Sequence, residues 1–209
     1  MPSSPNIAAL ILAAGGSTRL GRPKQLLPFD GGTLLGHACW TALESGCDPV
    51  VVVIGSSAGL VRAALEPFPI EIVENPEWER GLGTSLKAGV RAVASRPGVA
   101  ATLVMLCDQP LLTSAHLSAL IESYVATGKP LVASAYAGSL GVPTLFDRSL
   151  FAELQAVEDG GGAKGLIARD SSRLASVAFA EGEVDVDTQA RYEALMQWGG
   201  KAPIAEPRA

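Results

Sequence analysis

The segment from Leu10 to Leu27 constrains the fold of this chain more than any other. It reads Leu-Ile-Leu-Ala-Ala-Gly-Gly-Ser-Thr-Arg-Leu-Gly-Arg-Pro-Lys-Gln-Leu-Leu, an apolar run followed by a glycine-rich turn that carries three cations. Backbone N–H groups can converge on a phosphate only where side chains leave room and φ can be positive. A buried strand that ends in such a turn is typical of phosphate sites in α/β proteins. The segment therefore predicts a strand leading into a nucleotide-binding loop.

The spacing of the glycines argues against two common nucleotide-binding motifs. The dinucleotide fingerprint G-x-G-x-x-G cannot be placed on Gly15, Gly16 and Gly21 in any register. A Walker A loop needs Lys and then Ser or Thr after its last glycine, and Arg22-Pro23 stands there instead. Pro23 also has no N–H to donate and resists a continuing helix. A Rossmann dehydrogenase and a P-loop ATPase or kinase are therefore disfavoured.

Short apolar runs alternate with segments of helical period along the rest of the chain. Continuous apolar runs are typical of strands that are covered on both faces, and they predict strands over 7–12, 50–54, 70–73, 102–106 and 131–135. Helices are indicated by apolar stripes that begin at Leu34, Leu82 and Leu117, the last with Ser114 as N-cap, and by residues 188–198. This alternation predicts a mostly parallel sheet between layers of helices.

The glycine-rich region after Ala135 breaks this pattern. Gly138, Gly141, Pro143 and the triple glycine at 160–162 indicate a mobile insertion that faces the substrate. A chain of 209 residues with 48% hydrophobic content can bury one sizeable core, so we expect one domain. Residues 1–6 and 199–209 are expected to be flexible.

Composition restricts the partners and the compartment. The net charge of −5 argues against a nucleic-acid partner, because such surfaces depend on clustered Lys and Arg. Cys39, Cys47 and Cys107 lack Cys-x-x-Cys spacing and indicate reduced, buried thiols. No apolar run approaches the roughly 18 to 20 residues of a membrane span, and Met1–Asn6 lacks the features of a signal peptide. We expect a cytoplasmic protein with no membrane partner.

Acidic residues follow the apolar runs at two places. Asp108 comes directly after the fourth predicted strand, where ligands of an open parallel sheet bind, and is a candidate ligand for Mg²⁺. The alternative is that Asp108 caps a turn before Pro110. In a strand over 183–188, Asp185 and Asp187 would share one face and could approach one ion, although a solvated edge strand explains their alternation with valine equally well.

The order of these motifs resembles that of the MobA-like nucleotidyltransferases. The resemblance is carried by Leu-Ala-Ala-Gly-Gly-Ser-Thr-Arg-Leu-Gly-Arg-Pro-Lys at 12–24, Asn75-Pro76-x-Trp78-x-x-Gly81-x-Gly83-x-Ser85-Leu86, Asp108-Gln109-Pro110, Gly141-x-Pro143 and Asp185-Val186-Asp187-Thr188. It covers residues 7–198 and implies one domain over that range. The implied fold is a Rossmann-like α/β/α three-layer domain with a mostly parallel sheet, like that of the nucleotide-diphospho-sugar transferases.

The resemblance also implies a reaction that joins a nucleotide to an acceptor phosphate and releases pyrophosphate. Residues implied to bind the nucleotide are Ala13, Ala14, Gly15, Gly16, Ser17, Arg19, Gly21 and Lys24, with Gly81 and Ser85 seating the base. Arg19, Lys24 and Asp108 would act in catalysis, and Asp108 and Asp187 would hold Mg²⁺. An acceptor phosphate that is already ionised needs no general base, which agrees with a chain that has only two histidines.

The motif details narrow the implied substrates. Ala13-Ala14-Gly15 is similar to the molybdenum cofactor cytidylyltransferase branch, whereas the guanylyl branch has Ala-Gly-Gly there and Asp where Pro23 stands. This likeness implies CTP as the nucleotide and molybdopterin as the acceptor, with a transient molybdoenzyme or chaperone partner. Asp159-Gly-Gly-Gly-Ala-Lys164 and Thr188-Gln-Ala-Arg191 differ from that branch. The alternatives are a GTP-using guanylyltransferase, a nicotinamide-dependent reductase and a non-catalytic cofactor-binding module.

Overall fold

Strands and helices alternate along residues 5–197, which a computed structural model describes. The strands are β1 (Asn6–Leu12), β2 (Pro28–Phe29), β3 (Gly32–Thr33), β4 (Val50–Ile54), β5 (Glu71–Glu74), β6 (Val99–Leu106), β7 (Leu131–Tyr136), β8 (Ser139–Asp147) and β9 (Leu174–Ala178). The α-helices are α1 (Leu34–Glu44), α2 (Ala58–Leu65), α3 (Leu82–Ala94), α4 (Ser114–Thr127), α5 (Phe151–Gln155), α6 (Lys164–Arg169) and α7 (Gln189–Gln197). Short 3₁₀ helices span Lys24–Leu26, Trp78–Arg80, Arg148–Leu150, Ser171–Arg173 and Ala180–Glu183. Residues 1–4 and the predicted tail at 199–209, with Trp198, lie outside the described residues.

The main sheet has the order β5-β4-β1-β6-β8-β7-β9. β1 pairs in parallel with β4 and β6, while β8 runs antiparallel to both of its neighbours. Ile7 to Leu12 and the whole of β4 are buried, because helices cover both faces of these strands. The predicted mostly parallel sheet is confirmed.

Two apolar clusters, one on each face of the sheet, form the core. Leu35 of α1 and Leu117 of α4 pack on one face, together with α2. Leu86 of α3 and Leu154 of α5 pack on the other, together with α6. The three cysteines are buried within the first cluster, as predicted. The result is the three-layer α/β/α arrangement that the resemblance implies.

The prediction of a mobile insertion after Ala135 is wrong over residues 139–147. These residues form β8, a strand in the interior of the sheet between β6 and β7. The sequence does not indicate β8, because it contains Gly141 and Pro143 and neither residue favours a strand interior. A register shift between Ala133 and Ser134 accommodates them, and the Ser134 hydroxyl donates a 2.7 Å hydrogen bond to the Pro143 carbonyl oxygen.

Several predicted element boundaries also differ. Thr113, not Ser114, is the N-cap of α4, and its hydroxyl oxygen accepts a hydrogen bond from the His116 N–H. β6 begins three residues before its predicted start, at Val99, because Val99 and Ala101 continue the buried run. β9 and the short helices α5 and α6 lie in the region that we predicted to be an insertion or did not assign.

A third, smaller cluster fixes the last helix to the β2–β3 hairpin and the start of α1. Val186, Tyr192 and Leu195 pack against residues of the small β2–β3 hairpin and the start of α1. The Tyr192 hydroxyl donates a 2.8 Å hydrogen bond to the Pro28 carbonyl oxygen. This packing holds the loop before α7 beside the loop that follows β1. Among residues 5–197, no helix is long and apolar enough to cross a membrane.

Candidate active site

The side chain of Gln25 holds the loop after β1 in its conformation. This buried side chain donates hydrogen bonds from Nε2 to the carbonyl oxygens of Ala13 (2.7 Å) and Gly15 (2.8 Å). The Lys24 N–H donates to the Ser17 hydroxyl oxygen at 3.0 Å, which closes the other end of the loop. We did not single out Gln25 from the sequence; its only signal is a polar residue between Lys24 and two leucines.

The glycines of this loop have different surroundings. Gly21 has a φ of +68°, in the left-handed region that favours glycine, and Ser17 also has a positive φ of +51°. A β-carbon on Gly15 would meet nothing within 4 Å, whereas one on Gly16 would lie 3.0 Å from the Trp78 ring. Ala13 and Ala14 are buried at the end of β1. The predicted nucleotide-binding residues from Ala13 to Lys24 thus form one loop with an open side and a packed side.

Lys24 joins two carboxylates at the edge of this loop. Its Nζ atom donates to Asp108 Oδ2 at 2.5 Å and to Asp187 Oδ1 at 2.9 Å. Arg19 donates to the other oxygen of Asp187 at 2.7 Å. Asp108 follows β6, and Asp187 lies in the loop before α7. The structure therefore brings together all four charged residues that were predicted to act in catalysis or to bind metal.

Val186 determines which acidic residue of its loop reaches Lys24. The strand considered over 183–188 is not formed, because the described residues after the 3₁₀ helix Ala180–Glu183 form a loop. Val186 is fully buried, and its N–H donates a 2.9 Å hydrogen bond to the Asp108 carbonyl oxygen. Asp187 then lies against Lys24, while Asp185 pairs with Arg191. The two acidic residues do not share one site.

The charges in this cluster stabilise one another. Burial disfavours the charged form of Lys24, but the negative charge of Asp108 and hydrogen bonds to Asp108 and Asp187 outweigh it and raise the Lys24 pKa above its ordinary value. Burial likewise disfavours ionised Asp187, but the hydrogen bond and charge of Lys24, together with Arg19, lower the Asp187 pKa. Lys24 is therefore cationic and Asp187 anionic at neutral pH.

The donor set of this cluster fits a divalent metal that is bound together with a nucleotide. Asp108 Oδ1 is buried and has no hydrogen-bond partner. Among residues 5–197, no group of three or more His, Cys, Asp or Glu side chains could hold a metal. Mg²⁺ is commonly held by one or two carboxylates together with substrate phosphates and water. Asp108 and Asp187 could supply those carboxylates.

Ser85, predicted to seat the base, is buried at the start of α3. Its hydroxyl oxygen accepts a 3.0 Å hydrogen bond from Asn75 Nδ2, which also donates to Thr84 Oγ1 at 2.9 Å. Asn75 is itself buried, so it links the end of β5 to the first turn of α3. Ser85 therefore has a place in holding this turn, and its contact with a base stays a prediction.

Residues 158–160 cover the turn before α3. The Gly83 N–H donates a 2.8 Å hydrogen bond to the Asp159 carbonyl oxygen, and a β-carbon on Gly83 would overlap the carbonyl oxygen of Glu158. The Asp159 carboxylate pairs with Arg80 and Lys87. Sequence reasoning missed this contact, although Gly83 is the residue that permits it.

Comparison with known proteins places the chain in a family. Residues 9–175 match the MobA-like NTP transferase domain. The chain belongs to this family. The predicted resemblance is thereby confirmed over most of the chain.

Two curated relatives of this MobA-like chain carry different names. Nicotine blue oxidoreductase of Paenarthrobacter nicotinovorans is 42% identical over 123 residues, a match that covers 57% of this chain and 58% of that protein. The purine catabolism protein PucB of Bacillus subtilis (strain 168) is 29% identical over 203 residues, covering 91% of this chain and 96% of that protein. The chain thus spans less than two thirds of the first relative and nearly all of the second.

Solved structures confirm the nucleotide-diphospho-sugar transferase-like fold. Rv0371c of Mycobacterium tuberculosis H37Rv superimposes with a TM-score of 0.78 at 32% identity, covering 92% of this chain and 98% of that one. A complex of Rv0371c with manganese has a TM-score of 0.72 at 29% identity, with the same coverage. A relative of this fold therefore binds a divalent metal.

Proposed function

We propose that this protein transfers a nucleotide from a nucleoside triphosphate to an acceptor phosphate and releases pyrophosphate. The observation that carries the proposal is the position of Lys24, which contacts Asp108 and Asp187 beside the glycine loop. A cation and two carboxylates at the end of a phosphate-binding loop match the needs of phosphoryl chemistry. Membership of the MobA-like NTP transferase family supports the same reaction class.

The proposed step needs no covalent intermediate. An oxygen of the acceptor phosphate attacks the α-phosphorus, a new P–O bond forms, and the α–β bridging P–O bond breaks with its electron pair leaving on pyrophosphate. Lys24 and Arg19 would orient the triphosphate and stabilise the charge that grows on the leaving group. Bound Mg²⁺ would neutralise phosphate charge, held by Asp108 and Asp187.

The substrates proposed are CTP and molybdopterin. The support for CTP is the likeness of Ala13-Ala14-Gly15 to the cytidylyl branch, with GTP as the alternative. Molybdopterin as acceptor, a molybdoenzyme or chaperone as the receiving partner, and a cytoplasmic location follow from the same likeness. The domain limits of 7–198 are part of this proposal.

A second candidate is a nicotinamide-dependent oxidoreductase. The observation in its favour is the 42% identity to a relative named nicotine blue oxidoreductase. The glycine loop could then hold the pyrophosphate of a dinucleotide, although it lacks the dinucleotide fingerprint. This candidate predicts hydride transfer and no release of pyrophosphate. A non-catalytic cofactor-binding module predicts neither reaction.

The test is to supply each of the four nucleoside triphosphates with Mg²⁺ and molybdopterin and to measure pyrophosphate. Parallel samples contain NADH or NADPH with a quinone, and their oxidation is followed by absorbance. We expect pyrophosphate, fastest with CTP, and no oxidation of the nicotinamide. Oxidation without pyrophosphate would favour the second candidate, and the absence of both reactions would contradict transfer from these triphosphates to molybdopterin as well as the second candidate.

A further inference from the structure

The carboxylates that could hold a metal are already bound to cations of the chain. Lys24 Nζ donates to Asp108 Oδ2 at 2.5 Å and to Asp187 Oδ1 at 2.9 Å, and Arg19 donates to Asp187 Oδ2 at 2.7 Å. The remaining oxygen, Asp108 Oδ1, is buried and has no hydrogen-bond partner within residues 5–197. A hydrated metal ion therefore finds no accessible free carboxylate oxygen in this cluster.

The charges of the cluster also balance. Lys24 and Arg19 are positive, and Asp108 and Asp187 are negative. The Lys24 and Asp108 side chains are only 18% and 9% exposed, so water and salt screen their interaction little. A divalent cation is attracted to two free carboxylates, but not to a pair that is already neutralised. The Lys24 ammonium and a metal ion would therefore compete for the same oxygens.

The side chain of Lys24 can move, whereas the carboxylates are fixed. Val186 is fully buried, and its N–H donates a 2.9 Å hydrogen bond to the Asp108 carbonyl oxygen, which holds the backbone beside both acidic residues. The Lys24 N–H donates to the Ser17 hydroxyl oxygen, so its backbone stays with the glycine loop. Its flexible four-carbon stem lets the ammonium turn to another anion. A triphosphate on this loop would supply that anion.

We propose that Lys24 blocks the metal site until a nucleoside triphosphate binds. The Lys24 ammonium would then move to the phosphates and free the oxygens of Asp108 and Asp187 for the metal. This inference rests on the proposed function and adds a regulation of its site, in which the free metal binds weakly. By thermodynamic linkage, the nucleotide and the metal raise each other's affinity by the same factor.

The test measures the affinity of the nucleotide-free full chain for Mn²⁺ from the electron paramagnetic resonance of the free ion. Lys24→Met should bind Mn²⁺ roughly ten- to a hundredfold more tightly than the wild type, a common range for coupled sites. Lys24→Arg keeps the cation and should bind as weakly as the wild type. The matched control is Lys129→Met, which removes a lysine bonded to the Ser172 carbonyl oxygen and should also bind weakly.

The double variant Lys24→Met/Asp108→Asn shows where the gained ion is bound. It should lose the gain of Lys24→Met, because the freed carboxylate is no longer present. A Lys24→Met variant that is folded by circular dichroism but binds Mn²⁺ no more tightly than the wild type would overturn the inference. Retention of the full gain in the double variant would overturn it as well.

A second measurement uses the wild type alone and so does not depend on the folding of a variant. The ¹⁵N resonance of the Lys24 ammonium should shift when CTP is added without metal, and should stay unchanged when Mg²⁺ is added without nucleotide. No shift with CTP, or an equal shift with Mg²⁺, would overturn the inference. Pyrophosphate release by the wild type is measured separately, because its absence contradicts the proposed function, whereas release without the expected Mn²⁺ result contradicts only the blocking role of Lys24.

Discussion

At the scale of single residues, the site depends on how Lys24 is placed. Asp108 and Asp187 could be selected from the sequence because each stands in a motif after an apolar run. Their contact through one ammonium group could not, because it depends on Val186 being buried and bonded to the Asp108 backbone. Gln25 was missed for a related reason, since its side chain acts by donating hydrogen bonds to two carbonyl oxygens of another segment.

Lys24→Ala should weaken the binding of CTP in the presence of Mg²⁺. A charge-assisted hydrogen bond contributes about 1.5 to 3 kcal/mol, so we expect a loss of roughly ten- to a hundredfold. Isothermal titration calorimetry measures the constant. Lys129→Ala, which removes a lysine whose contact is with Ser172, is the control and should bind CTP normally. Unchanged affinity in Lys24→Ala would remove Lys24 from the triphosphate site.

The pKa of Asp187 should lie below its ordinary value of 3.8 and should rise in Lys24→Met. A depressed carboxylate pKa means that this pairing stabilises the fold above the unfolded-state pKa and that the contribution is lost as pH falls through the folded-state pKa. NMR titration of the Asp187 carboxyl carbon measures both values. An identical pKa in the wild type and the variant would show that Lys24 does not stabilise the ionised carboxylate.

At the scale of elements, the sequence predicts best where a strand is buried on both faces. β4 was predicted with its observed limits, and β1 within one residue, because unbroken runs of apolar residues are required there. β8 was missed because Pro143 and Gly141 are tolerated only through a register shift in its partner strand. The contact of residues 158–160 with the turn before α3 joins segments that are far apart in sequence. No local pattern of apolar residues therefore indicates it.

Gly83→Ala should destabilise the protein and raise the KM for CTP. The new methyl group would overlap the Glu158 carbonyl oxygen, and overpacking of this kind costs about 1 to 3 kcal/mol. Urea unfolding and initial rates measure the two effects. Gly165→Ala is the matched control, because that helical glycine has nothing within 4 Å of the added carbon. Equal stability of the two variants would show that the close approach is not needed.

At the scale of the whole molecule, the site is assembled where distant segments meet at the carboxyl ends of β1 and β6. The α/β/α fold could be predicted because ordered motifs and alternating elements agree with it. The third cluster could not, since its partners are α7 and a short hairpin of two-residue strands, which are far apart in sequence. This cluster positions the loop that carries Asp187.

Leu195→Ala should therefore weaken metal binding although Leu195 touches no phosphate. Truncation of a buried leucine costs about 2 to 5 kcal/mol, and here the loss loosens α7 and the loop before it. Mn²⁺ affinity in the presence of CTP should fall several-fold. Val93→Ala, in the core near the far end of α3, serves as control and should keep the affinity. Equal Mn²⁺ affinities in the two variants would show that the packing of α7 does not position the metal site.

The most direct test of the central claim is the affinity for Mn²⁺ with CTP present, read from the electron paramagnetic resonance of the free ion. Asp108→Asn should lose more than the roughly 10- to 100-fold that substitutions outside the ligand shell cost. Asp185→Asn, in the loop that also carries Asp187 but paired with Arg191, should bind like the wild type. Wild-type affinity in a folded Asp108→Asn variant would contradict the assignment of Asp108 as a ligand and with it the two-carboxylate metal site.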